Sequence, residues 1–157
     1  MIISTRGRYA LRVMIDLAES GQSGYIPMKT IAGRQGVSLK YMERILPVLA
    51  KNKLIEGVHG KGGGYRLCRR PEEYRVGEIL RLTEGGLDAV GSVLPGNAVG
   101  ETEGPKEESC CRAESCRTVA MWKGLQEMID EYFDGILLSD LCGNSCRCPA
   151  KEERCRA

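Results

Sequence analysis

Cysteine is the residue type with which this chain could do the most chemistry. Eight cysteines occur in 157 residues, and seven of them lie in the last 48. This density is below that of small secreted disulfide scaffolds, and residues 1–9 contain no apolar stretch followed by a small-residue cleavage site. We therefore expect a cytoplasmic protein whose C-terminal third uses its thiols for metal or redox chemistry rather than for disulfides.

The last four cysteines form a cysteine-rich tail, residues 142–157. Soft thiolates favour zinc and iron–sulfur centres, so four of them close together could hold a metal by themselves. Their spacing matches neither the paired Cys-x-x-Cys of zinc ribbons nor the common ferredoxin run. Two interpretations stay open, a second metal site and a set of unpaired or reversibly oxidised thiols, formed by Cys142, Cys146, Cys148 and Cys155.

Enzymatic catalysis is not expected. His59 is the only histidine, so neither a His-based triad nor a multi-histidine zinc site can be assembled. The chain also lacks the Cys-x-x-Cys spacing of dithiol oxidoreductases. The glycine run at residues 57–64 is not followed by Lys-Ser/Thr and lies between strand-like segments, which argues against a phosphate-binding loop.

Charge is distributed unevenly along the chain. Residues 1–84 carry 15 Lys and Arg against 8 Asp and Glu, whereas residues 85–157 carry 8 against 13. A basic N-terminal unit indicates a polyanionic partner such as nucleic acid, although solvated surface lysines would give the same count. No apolar run approaches the roughly 20 residues of a membrane helix, so no membrane partner is expected.

The N-terminal third shows the pattern of three helices. Ser4 has the side chain of a helix N-cap, and apolar residues recur every three or four positions after it. A short helix follows over residues 28–35, Gly36 breaks it, and Ser38 caps a third helix. Helix, tight glycine turn and helix is the helix-turn-helix pattern. Pro47 removes one backbone hydrogen bond from the third helix and is expected to kink or split it.

A wing and a fourth helix are predicted next. Residues 54–59 and 65–69 mix apolar and polar side chains and flank a glycine-rich tip, which is typical of a β-hairpin. Residues 74–84 form a further helix that a glycine pair ends. The predicted fold class is therefore mainly α with a small β-wing, a winged helix-turn-helix domain over residues 1–85 followed by a long C-terminal dimerisation helix.

The rest of the chain is predicted to contain a linker and a long helix. Residues 86–116 are rich in Gly, Glu and Pro, which is typical of a flexible linker, here ending in a cysteine loop. Residues 117–141 hold the helix and a closing segment. Its apolar stripe is wider than one subunit needs, so we expect a dimer seam, with packing back on its own subunit as the alternative. The stripe consists of Val119, Met121, Trp122, Leu125, Met128, Ile129, Tyr132, Phe133 and Ile136.

The third helix carries the candidate DNA-reading residues. In helix-turn-helix proteins this helix enters the major groove, where its outward donors and acceptors can read base edges. A lysine near the start of the second helix can reach a phosphate, and a glycine-rich wing tip can approach the minor groove. An ordinary solvated face is the alternative. The candidate DNA-contacting residues are Lys29, Ser38, Lys40, Tyr41, Glu43, Arg44, His59 and Lys61.

Five motifs along the chain resemble those of one regulator family. Over residues 1–141 the sequence resembles the IscR/NsrR/CymR family of winged-helix transcriptional regulators. The motifs are STRGRYA at residues 4–10, IAGRQGVS at 31–38, YME at 41–43, GKGGGYRL at 60–67 and VGEI at 76–79.

This resemblance implies a homodimer that binds a palindromic operator in double-stranded DNA. It also implies an iron–sulfur cluster held by three cysteines before the dimer helix, which correspond here to Cys110, Cys111 and Cys116. Two positions depart from the family pattern. Val119 stands where IscR-like members have a histidine ligand, and Arg8 stands where NsrR-like members have an acidic ligand.

The departures leave the sensing chemistry open. The leading hypothesis is a regulator that senses iron–sulfur or redox status through its C-terminal cysteines. One alternative is a cluster-free regulator that senses through a partner protein, as the resemblance to CymR implies. Another is a zinc or thiol-switch regulator, in which zinc replaces the cluster as the bound metal.

Overall fold

The computed structural model describes residues 3–20, 24–58, 60, 62–88 and 117–143. It confirms a mainly helical fold with a small two-stranded antiparallel sheet. Short 3₁₀ turns at Pro71–Glu73 and Leu138–Leu141 accompany the main elements. The main elements are α1 (Thr5–Glu19), α2 (Met28–Gln35), α3 (Leu39–Lys51), β1 (Ile55–Val58), β2 (Gly64–Leu67), α4 (Val76–Glu84) and α5 (Val119–Asp134).

Serine side chains begin α1 and α3, as predicted. The Ser4 hydroxyl accepts hydrogen bonds from the backbone N–H groups of Arg6 and Gly7, and Ser38 accepts one from Tyr41. These bonds satisfy N–H groups that have no partner within the helix. Gly36, with φ of 64°, ends α2 in the left-handed conformation that glycine adopts without strain.

Pro47 does not split the third helix, so the split that its position allows does not occur. Helix α3 continues from Leu39 to Lys51 with Pro47 inside it. Buried side chains lie on both sides of the proline, with Leu46 at 0% and Leu49 at 0% exposure. The packing of these side chains keeps both halves of the helix against the core, which offsets the loss of one backbone hydrogen bond.

The wing is a short hairpin that is joined to the body by a third backbone segment. Ile55 pairs with Leu67 at its base and Val58 with Gly64 near its tip. Ile26 and Tyr65 exchange two backbone hydrogen bonds of 2.9 Å. A Cβ on Gly64 would collide with the carbonyl group of Ile26, so this approach requires glycine.

The fourth helix starts two residues later than predicted, because Tyr74 has a different role. Helix α4 begins at Val76, and Tyr74 is extended and fully buried. Its hydroxyl donates to the Leu54 carbonyl oxygen at 2.7 Å and accepts from the Arg69 N–H at 2.8 Å. Tyr74 therefore ties the wing base to the core instead of continuing the helix.

The closing segment packs into the core of the N-terminal unit. Leu138 is fully buried there, and its N–H donates to the Tyr74 carbonyl oxygen at 2.9 Å. Ile136 lies beyond the end of α5, so its predicted place on the helical stripe is wrong. It packs instead with Val76 and Leu80 of α4.

The predicted linker and tail lie mostly outside the described residues. The same holds for His59 and Lys61 at the wing tip and for every cysteine except Cys68 and Cys142. The first linker residues are described, and Leu87 is buried beside α4.

Candidate nucleic-acid interface

The start of α3 presents a polar, charged surface. Ser38, Lys40, Glu43 and Arg44 are all exposed within its first two turns, and Lys29 is exposed at the start of α2. Hydrogen-bond donors and acceptors on the first turns of a helix are what reading of base edges in a major groove requires. The structure thus brings most of the sequence-predicted contact residues onto the helix-turn-helix.

Tyr41 packs against α1 and also lines the cleft between α1 and α3. It is half-buried, and its ring meets the Tyr9 ring edge-on, with centroids 5.6 Å apart and planes at 75°. The Arg12 guanidinium lies 5.1 Å from the Tyr9 centroid and donates to the Gln35 side chain at 3.0 Å. Tyr41 therefore fixes α3 against α1 through the Tyr9 ring.

The cations on this surface form no ion pairs with carboxylates among the described residues. In the described part of the chain, Arg34, Arg66, Arg69 and Arg81 form ion pairs with carboxylates. Across those same ranges, Lys29, Lys40 and Arg44 form none. Positive charge without an internal partner is available to an external polyanion.

One basic residue of this surface was missed by the sequence reasoning. Arg6 is exposed at the start of α1 and lines a cleft together with Thr5, Tyr41 and Arg44. Its position two residues after the N-cap Ser4 predicts solvent exposure, but nothing in the sequence places α1 beside α3.

The long helix α5 exposes an apolar stripe. The exposed fractions are 56% for Met121, 40% for Leu125, 68% for Met128 and 45% for Tyr132. Spacings of four, three and four residues place them on one side of the helix. Gln126 is the one residue of α5 that is buried, while Val119, Trp122, Ile129 and Phe133 of the predicted stripe are half-buried. The exposed part of the predicted stripe therefore consists of Met121, Leu125, Met128 and Tyr132.

A polar junction joins α5 to α4. Gln126 donates to the Leu87 carbonyl oxygen at 3.2 Å and to Asp130 at 3.0 Å. Arg81 donates to Asp130 and Asp134. These four polar side chains therefore partner one another, and the first linker residues take part through the Leu87 carbonyl oxygen.

The described thiols do not form a metal site. Within the described ranges, no group of three or more potential metal ligands converges. Cys142 is half-buried, and its thiol donates to the Leu138 carbonyl oxygen at 3.2 Å. Cys110, Cys111, Cys116, Cys146, Cys148 and Cys155 lie outside those ranges.

No helix of the described part of the chain combines the length and the apolar character that crossing a bilayer requires.

Comparison with known proteins gives a consistent result. The profile of the Rrf2 family, described as iron-dependent transcriptional regulator, matches residues 3–144. The HTH-type transcriptional regulator IscR of Aliivibrio salmonicida (strain LFI1238) is 35% identical over 141 residues, which cover 90% of this chain and 77% of that protein.

Solved structures agree with this result. T. potens IscR shares 31% identity with a TM-score of 0.63, and the match covers 90% of this chain and 85% of that one. The oxidized form of Staphylococcus aureus CymR shares 32% identity with a TM-score of 0.63, covering 90% and 95%. The matched relatives are regulators and not enzymes. This chain belongs to the Rrf2 family of transcriptional regulators.

Proposed function

We propose that this chain is a cytoplasmic, homodimeric regulator that binds a palindromic operator and senses iron–sulfur or redox status through its C-terminal cysteines. The observation that carries the DNA-binding part is the set of exposed cations at the helix-turn-helix that lack ion pairs among the described residues. Such charge is expected to be matched by phosphates of double-stranded DNA.

The helix-turn-helix and the wing have different roles in this proposal. Ser38, Lys40 and Glu43 read base edges in the major groove, because they are exposed on the first two turns of α3. Lys29 holds a phosphate. At the wing tip, His59 and Lys61 reach the neighbouring minor groove.

The apolar stripe of α5 supports the homodimer. Four large apolar side chains on one helix face, each at least 40% exposed, gain most by being buried against the same face of a second copy. A two-fold dimer presents two recognition helices related by symmetry, and its operator is accordingly palindromic.

We assign Cys110, Cys111 and Cys116 as the ligands of the cluster and assign no coordination geometry. Three thiolates suit an iron–sulfur cluster and also suit zinc, and the tail supplies four more. A bound cluster would supply an oxidisable, ligand-sensitive centre at the end of the linker. Since Leu87 at the linker start is held by Gln126 of α5, a change in the linker acts on the α4–α5 junction.

Metal content combined with DNA binding tests this function. Protein purified without oxygen is assayed for iron, sulfide and zinc, and its affinity is measured for a duplex selected from a random pool. We expect iron and sulfide in matching amounts, lost in a variant with serine at Cys110, Cys111 and Cys116, and a changed affinity in that variant. Cys68→Ser is the matched control and should retain both metal and affinity.

Two results would contradict parts of the proposal. A protein that binds no duplex selectively is not the proposed regulator. Equal affinity with intact and stripped cysteines would exclude sensing at this site.

A cluster-free thiol regulator is the second candidate. The observation in its favour is that the CymR structure with a TM-score of 0.63 is named an oxidized form. Absence of iron and sulfide, with DNA affinity that changes on mild oxidation or on adding a defined partner protein, would favour it. Zinc alone would favour a zinc or thiol-switch regulator, and loss of zinc after deletion of residues 142–157 would place the metal in the tail.

A further inference from the structure

A cleft beside the recognition helix has the composition of an anion site. It has a volume of about 580 Å³ and lies between the start of α1, the first half of α3 and the end of α4. We call it the α1–α3 cleft. It is lined by Ser4, Thr5, Arg6, Tyr41, Arg44, Ile45 and Glu84.

The two arginines of the cleft are uncompensated. Arg6 and Arg44 are both exposed, and neither forms an ion pair with any residue that the structure describes. Arg6 and Arg44 place two like charges on one cleft, and an anion bound between them would be attracted by both. The cleft therefore favours a negatively charged ligand.

The one carboxylate in the cleft already has other partners. Glu84 accepts from the Ser4 hydroxyl at 2.7 Å and from the Gly7 N–H at 2.8 Å. It closes the start of α1 and forms no ion pair with Arg6 or Arg44. The backbone donors at the start of α1 are thus partly used, and the guanidinium groups remain as donors for a ligand.

The position of the cleft decides which anion fits. Guanidinium groups match the oxygens of a phosphate, often with two parallel hydrogen bonds. In helix-turn-helix proteins the first residues of the recognition helix contact base edges, while neighbouring elements hold the backbone. Arg44 directly follows Glu43 in α3 but, unlike Glu43, lines the cleft shared with α1. Building on the proposed DNA binding, we infer that Arg6 and Arg44 together hold one backbone phosphate of the operator, and that Arg44 reads no base.

Tyr41 fixes the relative position of the two helices that carry Arg6 and Arg44. Its ring lines the cleft and is held edge-on by Tyr9 of α1. Because this contact fixes α3 against α1, the spacing between the backbones that carry Arg6 and Arg44 is set by packed helices rather than by flexible loops. A shared phosphate therefore orients α3 in the groove without adding sequence information.

The salt dependence of binding separates a phosphate contact from a base contact. Affinity of the full chain is measured on a selected duplex and on a scrambled duplex over a range of salt concentrations. Arg44→Ala and Arg6→Ala should each lower the affinity for both duplexes equally, by about tenfold at about 0.1 M salt. Each should also reduce the slope of log affinity against log salt concentration by about 0.9 for each phosphate that the variant no longer neutralises. The double variant should bind little more weakly than either single variant.

Two further variants sharpen the test. Arg44→Lys keeps a point charge and should keep most of the salt slope, whereas a base-reading arginine would lose its bidentate hydrogen bonds. Arg70→Ala is the matched control, because Arg70 is exposed, forms no ion pair with described residues and lies by the other end of α1. It should leave affinity and slope unchanged.

Neutralising single phosphates locates the contact. A methylphosphonate is placed at each backbone position of the selected duplex in turn. At one position in each half-site, the substitution should lower the affinity of the wild-type protein but leave the affinity of both arginine variants unchanged.

Three outcomes would overturn the inference. A lower ratio of selected to scrambled affinity in Arg44→Ala, at unchanged slope, makes Arg44 a base reader. If the wild-type protein binds the selected duplex and both alanine variants bind it with unchanged affinity, the phosphate contact is excluded while the proposed DNA binding stands. A wild-type chain that binds no duplex removes the proposed function together with it.

Discussion

The guanidinium of Arg81 donates to both carboxylate oxygens of Asp134, Nη1 to Oδ1 at 2.8 Å and Nη2 to Oδ2 at 2.9 Å. Nη2 also donates to Asp130 at 2.8 Å. Hydrogen bonds to these carboxylates raise the pKa of Arg81. Burial alone would raise the pKa of Asp130, but hydrogen bonds from Arg81 and Gln126 outweigh it and hold that pKa below its usual value. Helix α5 is thus attached to α4 of the same chain by charge.

The first prediction concerns the strength of this attachment. Asp134→Asn and Arg81→Gln should each lower the free energy of unfolding by about 1 kcal/mol, because the pair is bidentate but about one-third exposed. Amide hydrogen exchange in α5 should become faster. Asp16→Asn is the control, since the Asp16–Arg34 contact is 3.5 Å long and its arginine is 47% exposed, and it should change stability far less.

The same junction should depend on pH. Because the pKa of Asp130 is lowered in the folded state, its contribution is present above the unfolded-state pKa and is lost as pH falls through the lowered value. The difference in stability between wild type and Asp130→Asn should therefore shrink on acidification below about pH 4. A constant difference down to strongly acidic pH would contradict the ion pair.

The second prediction concerns the dimer. Met128→Lys places a charge in the middle of the apolar stripe and should weaken self-association by about two orders of magnitude, measured by sedimentation equilibrium. Glu127→Lys introduces the same side chain at an exposed position beside the stripe and should leave the dimer intact. An unaltered dimer in Met128→Lys would exclude this face as the seam.

Local signals in the sequence were sufficient for the N-terminal elements. Ser4 and Ser38 cap helices where their types predict, and Gly36 ends α2. These features depend on hydrogen bonds and backbone conformation within a few residues, so a short window contains the physical cause.

Features that depend on long-range contacts were not predictable in the same way. Tyr74 fits a helical pattern in the sequence, but its hydroxyl is buried between Leu54 and Arg69, which draws it out of the helix. Asp130 and Asp134 have the spacing of a solvent-facing helix surface. Only the docking of α4 shows that they face Arg81.

The third prediction concerns Tyr74. Tyr74→Phe leaves the Arg69 N–H without its partner and removes the shorter of two hydrogen bonds to the Leu54 carbonyl oxygen, which keeps the one from the Cys68 N–H at 3.3 Å. The variant should cost about 1–3 kcal/mol in chemical denaturation. Tyr25→Phe removes a longer, 3.2 Å hydrogen bond to Glu56 in a half-buried position and should cost less. Equal costs for the two variants would mean that the wing base is not held by Tyr74.

The last prediction concerns the two thiols that the structure describes. Burial raises the pKa of Cys68, with Glu56 adding to the effect, and burial together with Glu19 and Glu72 raises that of Cys142. At neutral pH each should carry less reactive thiolate than a free cysteine.

Alkylation rates measured against pH test this expectation. In variants that retain only Cys68 or only Cys142, the rate at pH 7 should be lower than that of N-acetylcysteine, and the titration midpoint should be higher. A midpoint below that of the reference would make the residue a reactive thiolate and bring it into the sensing chemistry. A raised midpoint in both variants would leave the proposed sensing to the cysteines of the linker and the rest of the tail, because thiolates and not neutral thiols bind metals and attack oxidants.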